Sequence, residues 1–134
     1  MSKEGEKDKE KKRELIRNFV IAIAGNIRDP EIGISLLNAG LLKEEFVEVD
    51  IDKKIIEVKW IPSTPFCPLI MHISAVIRAR LKEKFQDWDI RVRLHPDVIG
   101  SDSWNERLKN NEELDKLVEE IKQRGWWDYF IIKE

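Results

Sequence analysis

Trp60-Ile61-Pro62-Ser63-Thr64-Pro65-Phe66-Cys67-Pro68-Leu69-Ile70 is the stretch on which the reading turns. Upstream of it, Ile55, Ile56, Val58, Trp60 and Ile61 make a β-branched and aromatic run of strand type. Downstream, Leu69, Ile70, Ile73, Val76, Ile77 and Leu81 recur at helical spacing and predict a helix over 67–85. Between them the chain changes from strand to helix within a few residues, with prolines limiting the backbone on both sides of its one cysteine. A cysteine so placed has two readings. Buried, it is a small hydrophobe. As a helix cap, with Pro68 at the first position where a missing N–H costs nothing, it faces unpaired N–H groups and the positive end of the helix dipole. Those conditions favour a thiolate.

Working outward, Phe46, Val47, Val49 and Ile51 alternate over 44–51, and the polar connection Asp52-Lys53-Lys54 joins them to the run at 55–61. Two such runs predict a hairpin. Ile90, Val92 and Leu94 share one face of a third predicted strand at 88–94. A first helix is predicted from Leu15, Ile16, Phe19, Val20, Ile23 and Ala24, stopping at Gly25-Asn26. Asp29-Pro30-Glu31 reads as a helix or turn start capped by the aspartate, or as a carboxylate pair suited to acid–base work or metal binding. Gly40 suits a backbone position of positive φ leading into the next strand. His95 to Gly100 is a loop, 103–111 is polar around Trp104 and Leu108, and Leu114, Leu117, Val118 and Ile121 mark a short helix over 112–122. The element order implies an α+β domain of two layers: a small three-stranded mixed sheet, hairpin plus one strand, covered by helices on one face. Residues 1–13 read as a disordered charged tail, 14–125 as the domain, and 126–134 as an aromatic C-terminal extension that docks on the domain or meets a partner.

The chain has 134 residues, 42% hydrophobic and 37% charged, with a net charge of −2. That charge argues against a nucleic-acid partner. No apolar run is long enough to span a membrane, and the charged start lacks a signal core, so a soluble, cytoplasmic protein is expected. One cysteine excludes an intramolecular disulfide. It also cannot hold an iron–sulfur cluster alone, since such clusters take four ligands, mostly thiolates. His72 follows Cys67 by five residues on the predicted helix, and the two point to different faces. Only His72 and His95 are available as a base for a cysteine hydrolase, and no enzymatic activity is expected.

Three blocks together resemble the cytosolic iron–sulfur assembly targeting factors, a family that includes SufT-like and PaaD-like bacterial proteins. Asp29-Pro30-Glu31-Ile32 with Gly40-Leu41-Leu42 is similar to the family's Asp-Pro-Glu and Leu-Gly-Leu-Val blocks. Ser63-Thr64-Pro65-Phe66-Cys67-Pro68 resembles its Thr-x-Pro-x-Cys-Pro block. The run from Trp104 and Asn105 to Glu113 is similar to an Asn-Lys-Gln-Leu-Asn-Asp-Lys-Glu-Arg run of eukaryotic members. Ala39 stands where leucine is usual, His95 stands near a bacterial tryptophan, and the aromatic extension has no counterpart. The resemblance implies a domain related to the cluster-assembly domain of NifU-like scaffolds, and a role in maturing iron–sulfur proteins. Cys67 would be the reactive or metal-ligating residue, with Asp29 and Glu31 lining the same site and Thr64 shaping the turn. A cluster would be held only transiently, not stably by one chain. The partners implied are the assembly machinery and recipient apo-proteins; from the residues themselves, Trp104 reads as a core tryptophan pinning its loop or as a partner anchor, and Asn105, Trp126 and Trp127 are the other partner-binding candidates. A homodimer pairing two Cys67 thiols would supply two ligands. The competing reading is an interaction adaptor of the same fold with a structural cysteine.

Overall fold

The structure, a computed structural model, describes residues 3–64 and 67–132, the side chains of residues 3 and 4 excepted. The first helix, α1 (Lys3–Ala24), begins well before the apolar stripe. The charged run read as a disordered tail forms its opening turns from Lys3 onward. Lys and Glu lose little rotamer freedom in a helix. Arg13 also pairs with Glu10 at 3.0 Å one turn away, and Lys9 reaches Asp52 at 3.1 Å. The predicted stripe divides: Ile16, Val20 and Ala24 are buried, whereas Leu15 and Phe19 are exposed. At Gly25 a Cβ would lie 2.5 Å from the Ile21 carbonyl oxygen and 3.0 Å from Leu37 Cβ. Only glycine lets the next segment pack that closely.

Asp29-Pro30-Glu31 lies in a turn and starts no helix. Strands β1 (Arg28–Asp29) and β2 (Ile34–Ser35) pair antiparallel as a separate two-stranded sheet that the sequence pattern did not predict. Asp29 closes the turn twice: Oδ1 accepts from the Glu31 N–H at 3.0 Å, and the carbonyl accepts from the Gly33 N–H at 2.8 Å. Gly40 has the expected positive φ, +74°.

After a short 3-10 turn at Glu44–Phe46, where strand was expected, come β3 (Val47–Asp50) and β4 (Ile55–Trp60). With β5 (Asp89–Leu94) they form the expected three-stranded mixed sheet, β4 in the centre, antiparallel to β3 and parallel to β5. Burial alternates along each strand. Val47 and Val49, Ile56, Val58 and Trp60, and Ile90, Val92 and Leu94 point into the core. The crossover between the parallel strands is α2 (Ile70–Lys84). It buries Ile70, Ile73, Ile77 and Leu81, and also Met71, Ala75 and Val76, so it is covered on more than one side. Its outer side carries Arg78, which pairs with Asp115 of α4 (Asn111–Gln123). Asn110 caps α4, its Oδ1 accepting from the Glu113 N–H at 3.0 Å.

The polar stretch ahead of α4 contains a further helix, α3 (Ser101–Leu108), anchored by buried Leu108 and half-buried Trp104. Residues 127–130 form α5 (Trp127–Phe130), in which Phe130 is 3% exposed. Ile131 then makes an antiparallel bridge to Ile27, so the aromatic extension docks on the domain as far as it is described. Burying one such ring is worth ~1.5–3 kcal/mol. Residues 1–2 and 133–134 of the two expected terminal segments lie outside the described residues. Among those described, no helix is long and apolar enough to cross a membrane.

Candidate thiol site

The thiol segment leaves β4 at Trp60 and enters α2 at Ile70. Its first residue is held by the Ile61 N–H, which donates to the Leu41 carbonyl at 2.8 Å. Pro65, one of the two prolines expected to restrict the thiol, lies with Phe66 outside the described residues. The Cys67 N–H donates to the Thr64 carbonyl at 3.1 Å. Helix α2 is capped by Leu69, so Cys67 stands in the turn before the helix and does not cap it, in contrast to the predicted start at 67. The Leu69 N–H instead bonds the cysteine sulfur.

Cys67 is 1% exposed. Its thiol donates to Glu31 Oε2, with a sulfur–oxygen distance of 3.7 Å. The Glu31 side of the contact is open to water. Asp29, two residues earlier, is fully buried, and its Oδ2 bonds to nothing among the described residues. Burial pushes the thiol up to about 11 from an ordinary value of 9.0. The negative charges of Glu31 and Asp29 push the same way, and the Leu69 N–H opposes them. The resting group is therefore S–H. Of the two readings of the cysteine, the thiolate at a helix start is disfavoured first by burial, then by the neighbouring carboxylates, and the helix begins too late for its dipole to offset them.

The four residues Asp29, Glu31, Thr64 and Cys67 thus come together, Thr64 through its main chain. Of the other four site candidates, only Trp126 comes near these turns, across a groove from Pro30 and Leu69. Trp104 packs on the core from α3. Asn105 gives its amide to Leu94: Oδ1 accepts from the Leu94 N–H at 2.7 Å and Nδ2 donates to the Leu94 carbonyl at 3.2 Å. Trp126 is 39% exposed beneath the Arg124 guanidinium, and Trp127 is half-buried beneath the Lys122 ammonium. Sequence reasoning missed a groove of about 210 Å³ formed by Pro30, Leu69, Trp126, Tyr129 and Phe130. The aromatic run signalled an apolar surface, but no local pattern says which turns it meets.

A thiol and two carboxylates are donors that iron accepts once the sulfur is deprotonated. Among the described residues nothing bonds the buried Asp29 Oδ2. Among the described residues no three His, Cys, Asp or Glu side chains are arranged as a metal site.

The small α+β domain thus holds one buried thiol with carboxylates near it. The family of iron–sulfur cluster assembly proteins matches residues 20–92, more than half of the chain, and the chain belongs to that family. Its role accordingly lies in iron–sulfur cluster assembly. The matched span contains Asp29, Glu31, Thr64 and Cys67 and ends before Trp104 and the aromatic segment. No curated protein matches the chain closely enough to count as a relative.

Proposed function

We propose that this protein is a maturation factor of the SufT-like and PaaD-like kind, in which Cys67 ligates iron in transit to recipient apo-proteins. The observation that carries this reading is the meeting of Cys67 Sγ and Glu31 Oε2 at 3.7 Å, from turns 36 residues apart, near an Asp29 oxygen that bonds to nothing among the described residues. A divalent iron arriving here is drawn by two carboxylates. Its charge offsets the repulsion that keeps the thiol protonated, and the proton leaves through exposed Glu31 to water. The donors of one chain fall short of the four that a cluster takes. A donor protein, the recipient or a second copy of this chain completes the set, and iron passes on when the recipient's ligands replace these.

The test is Cys67→Ser, shown by circular dichroism to be folded and assayed for cluster delivery to an apo-protein. Loss of delivery is expected. Undiminished delivery overturns the reading.

One observation favours the adaptor reading: the thiol is almost wholly buried and its ionisation is pushed up to about 11. Under that reading Cys67 is structural, and recipients bind through Trp104 or the exposed face of Trp126. Cys67→Ser then delivers normally, while Trp104→Ala or Trp126→Ala does not.

A further inference from the structure

The segment 126–131 lies against both turns that build the thiol site. Pro30 sits between Asp29 and Glu31, and the Leu69 N–H bonds the Cys67 sulfur. These two residues line the groove whose other wall is Trp126, Tyr129 and Phe130. Trp127 and Ile131 are half-buried against the core, and the rest of the segment is mostly exposed. Phe130 is the one buried residue of α5, and Ile131 forms an isolated bridge to Ile27. Trp126 and Tyr129 keep 39% and 62% of their surface in water. The segment leaves α4 through Gly125, which has φ +73° and nothing within 4 Å of the place a Cβ would occupy. By contrast β4 and β5 pair along their full six-residue lengths. Cys67 is 1% exposed although Glu31, its hydrogen-bond partner, is in water. Something must move before any reagent or protein reaches the sulfur, and few contacts with much exposed surface mark the segments that open most easily.

We propose that residues 126–131 are a strap over the Cys67 site. Closed, with Phe130 seated and Ile131 on Ile27, the strap shuts the groove side of the thiol. Open, swung about Gly125, it uncovers Pro30, Leu69 and Cys67 to the protein that exchanges iron with them. The strap thereby makes exchange depend on a partner that displaces it, and its own exposed Trp126 and Tyr129 are the surface such a partner grips first. This inference rests on Cys67 being the working thiol, but its test reads access to the sulfur and not delivery.

The experiment labels Cys67 in the full chain with two neutral reagents of different size, iodoacetamide and N-phenylmaleimide, in the wild type and in Phe130→Ala. Both reagents meet the same thiolate fraction, so the ratio of their rates reports access alone. Phe130→Ala is expected to raise both rates roughly tenfold or more, and that of the larger N-phenylmaleimide by the greater factor. Unchanged rates and an unchanged gap, with tryptophan fluorescence showing the segment displaced, overturn the strap. A second measurement needs no variant. Labelling of the wild type through strap opening rises with urea far less steeply than global unfolding, because little surface is exposed. Labelling that follows the full slope of global unfolding also overturns it. Normal delivery by Cys67→Ser would sink the iron-carrying role and leave the access result standing, so the two failures are distinct.

Discussion

The indole of Trp60 donates its Nε1–H to Ser74 Oγ at 3.0 Å, and both residues are fully buried. This bond ties the last residue of β4 to the second turn of α2, and the loop that carries Cys67 is strung between them. A buried indole N–H needs a partner. Ser74→Ala leaves it unpaired and is expected to destabilise the chain by ~1–3 kcal/mol, read from urea unfolding midpoints. Trp60→Phe combined with Ser74→Ala should cost less than the sum of the two single changes, because the serine has no indole left to serve. Strict additivity would mean that the bond contributes nothing.

The ionisation of Cys67 predicts how stability varies with pH. The thiol is pushed up to about 11 in the folded chain from an ordinary 9.0, mainly by burial. Between these values the folded chain keeps a proton that the unfolded chain releases. The resulting stabilisation is complete below the ordinary value and is lost as pH rises to the folded one. Cys67→Ser should therefore flatten the fall in stability across that alkaline window. Denaturant unfolding at a series of pH values, wild type against variant, checks the sign.

Glu31→Gln separates repulsion from ligation. Removing the carboxylate lowers the ionisation point of the thiol, though not to its ordinary value, because burial is the larger cause. Alkylation at neutral pH should therefore quicken. Affinity for cobalt(II), followed by thiolate-to-metal absorption, should fall, because an oxygen donor and a negative charge are gone. Faster alkylation together with tighter cobalt binding would reduce Glu31 to a repelling charge.

Asn105 is predicted to matter for the sheet. Its amide bonds both main-chain groups of Leu94, as a neighbouring strand would. Asn105→Ala should cost ~1–3 kcal/mol through the groups it leaves unpaired. The Leu94 amide should also exchange faster with solvent, which is readable by hydrogen exchange. A variant that keeps both stability and exchange would free Asn105 for the partner role that the sequence suggested.

How much was legible follows from the range of the forces concerned. Alternation at Ile56, Val58 and Trp60, and at Ile90, Val92 and Leu94, marked the strands because a one-sided sheet imposes period two on neighbouring residues. The spacing of Ile70, Ile73, Ile77 and Leu81 marked α2 for the same local reason. Helix α3 was missed because in 101–108 only Trp104 and Leu108 are large apolar residues, too few to show a period. The opening turns of α1 were missed because a run of Lys and Glu has no apolar face, although its helix propensity is high.

The sequence by itself determined the strand–loop–helix frame around Cys67, the glycine at position 40 with its positive φ, and the residue types available to a site. These depend on periodicity and backbone sterics within a few residues. Only the tertiary structure decided that Glu31 meets the sulfur, that Asp29 is buried, that the thiol rests protonated, and that Phe130 shares a groove with Pro30 and Leu69. Those facts depend on desolvation and on charges brought together from distant parts of the chain. Ionisation responds to what surrounds a group in space, and sequence order does not record that.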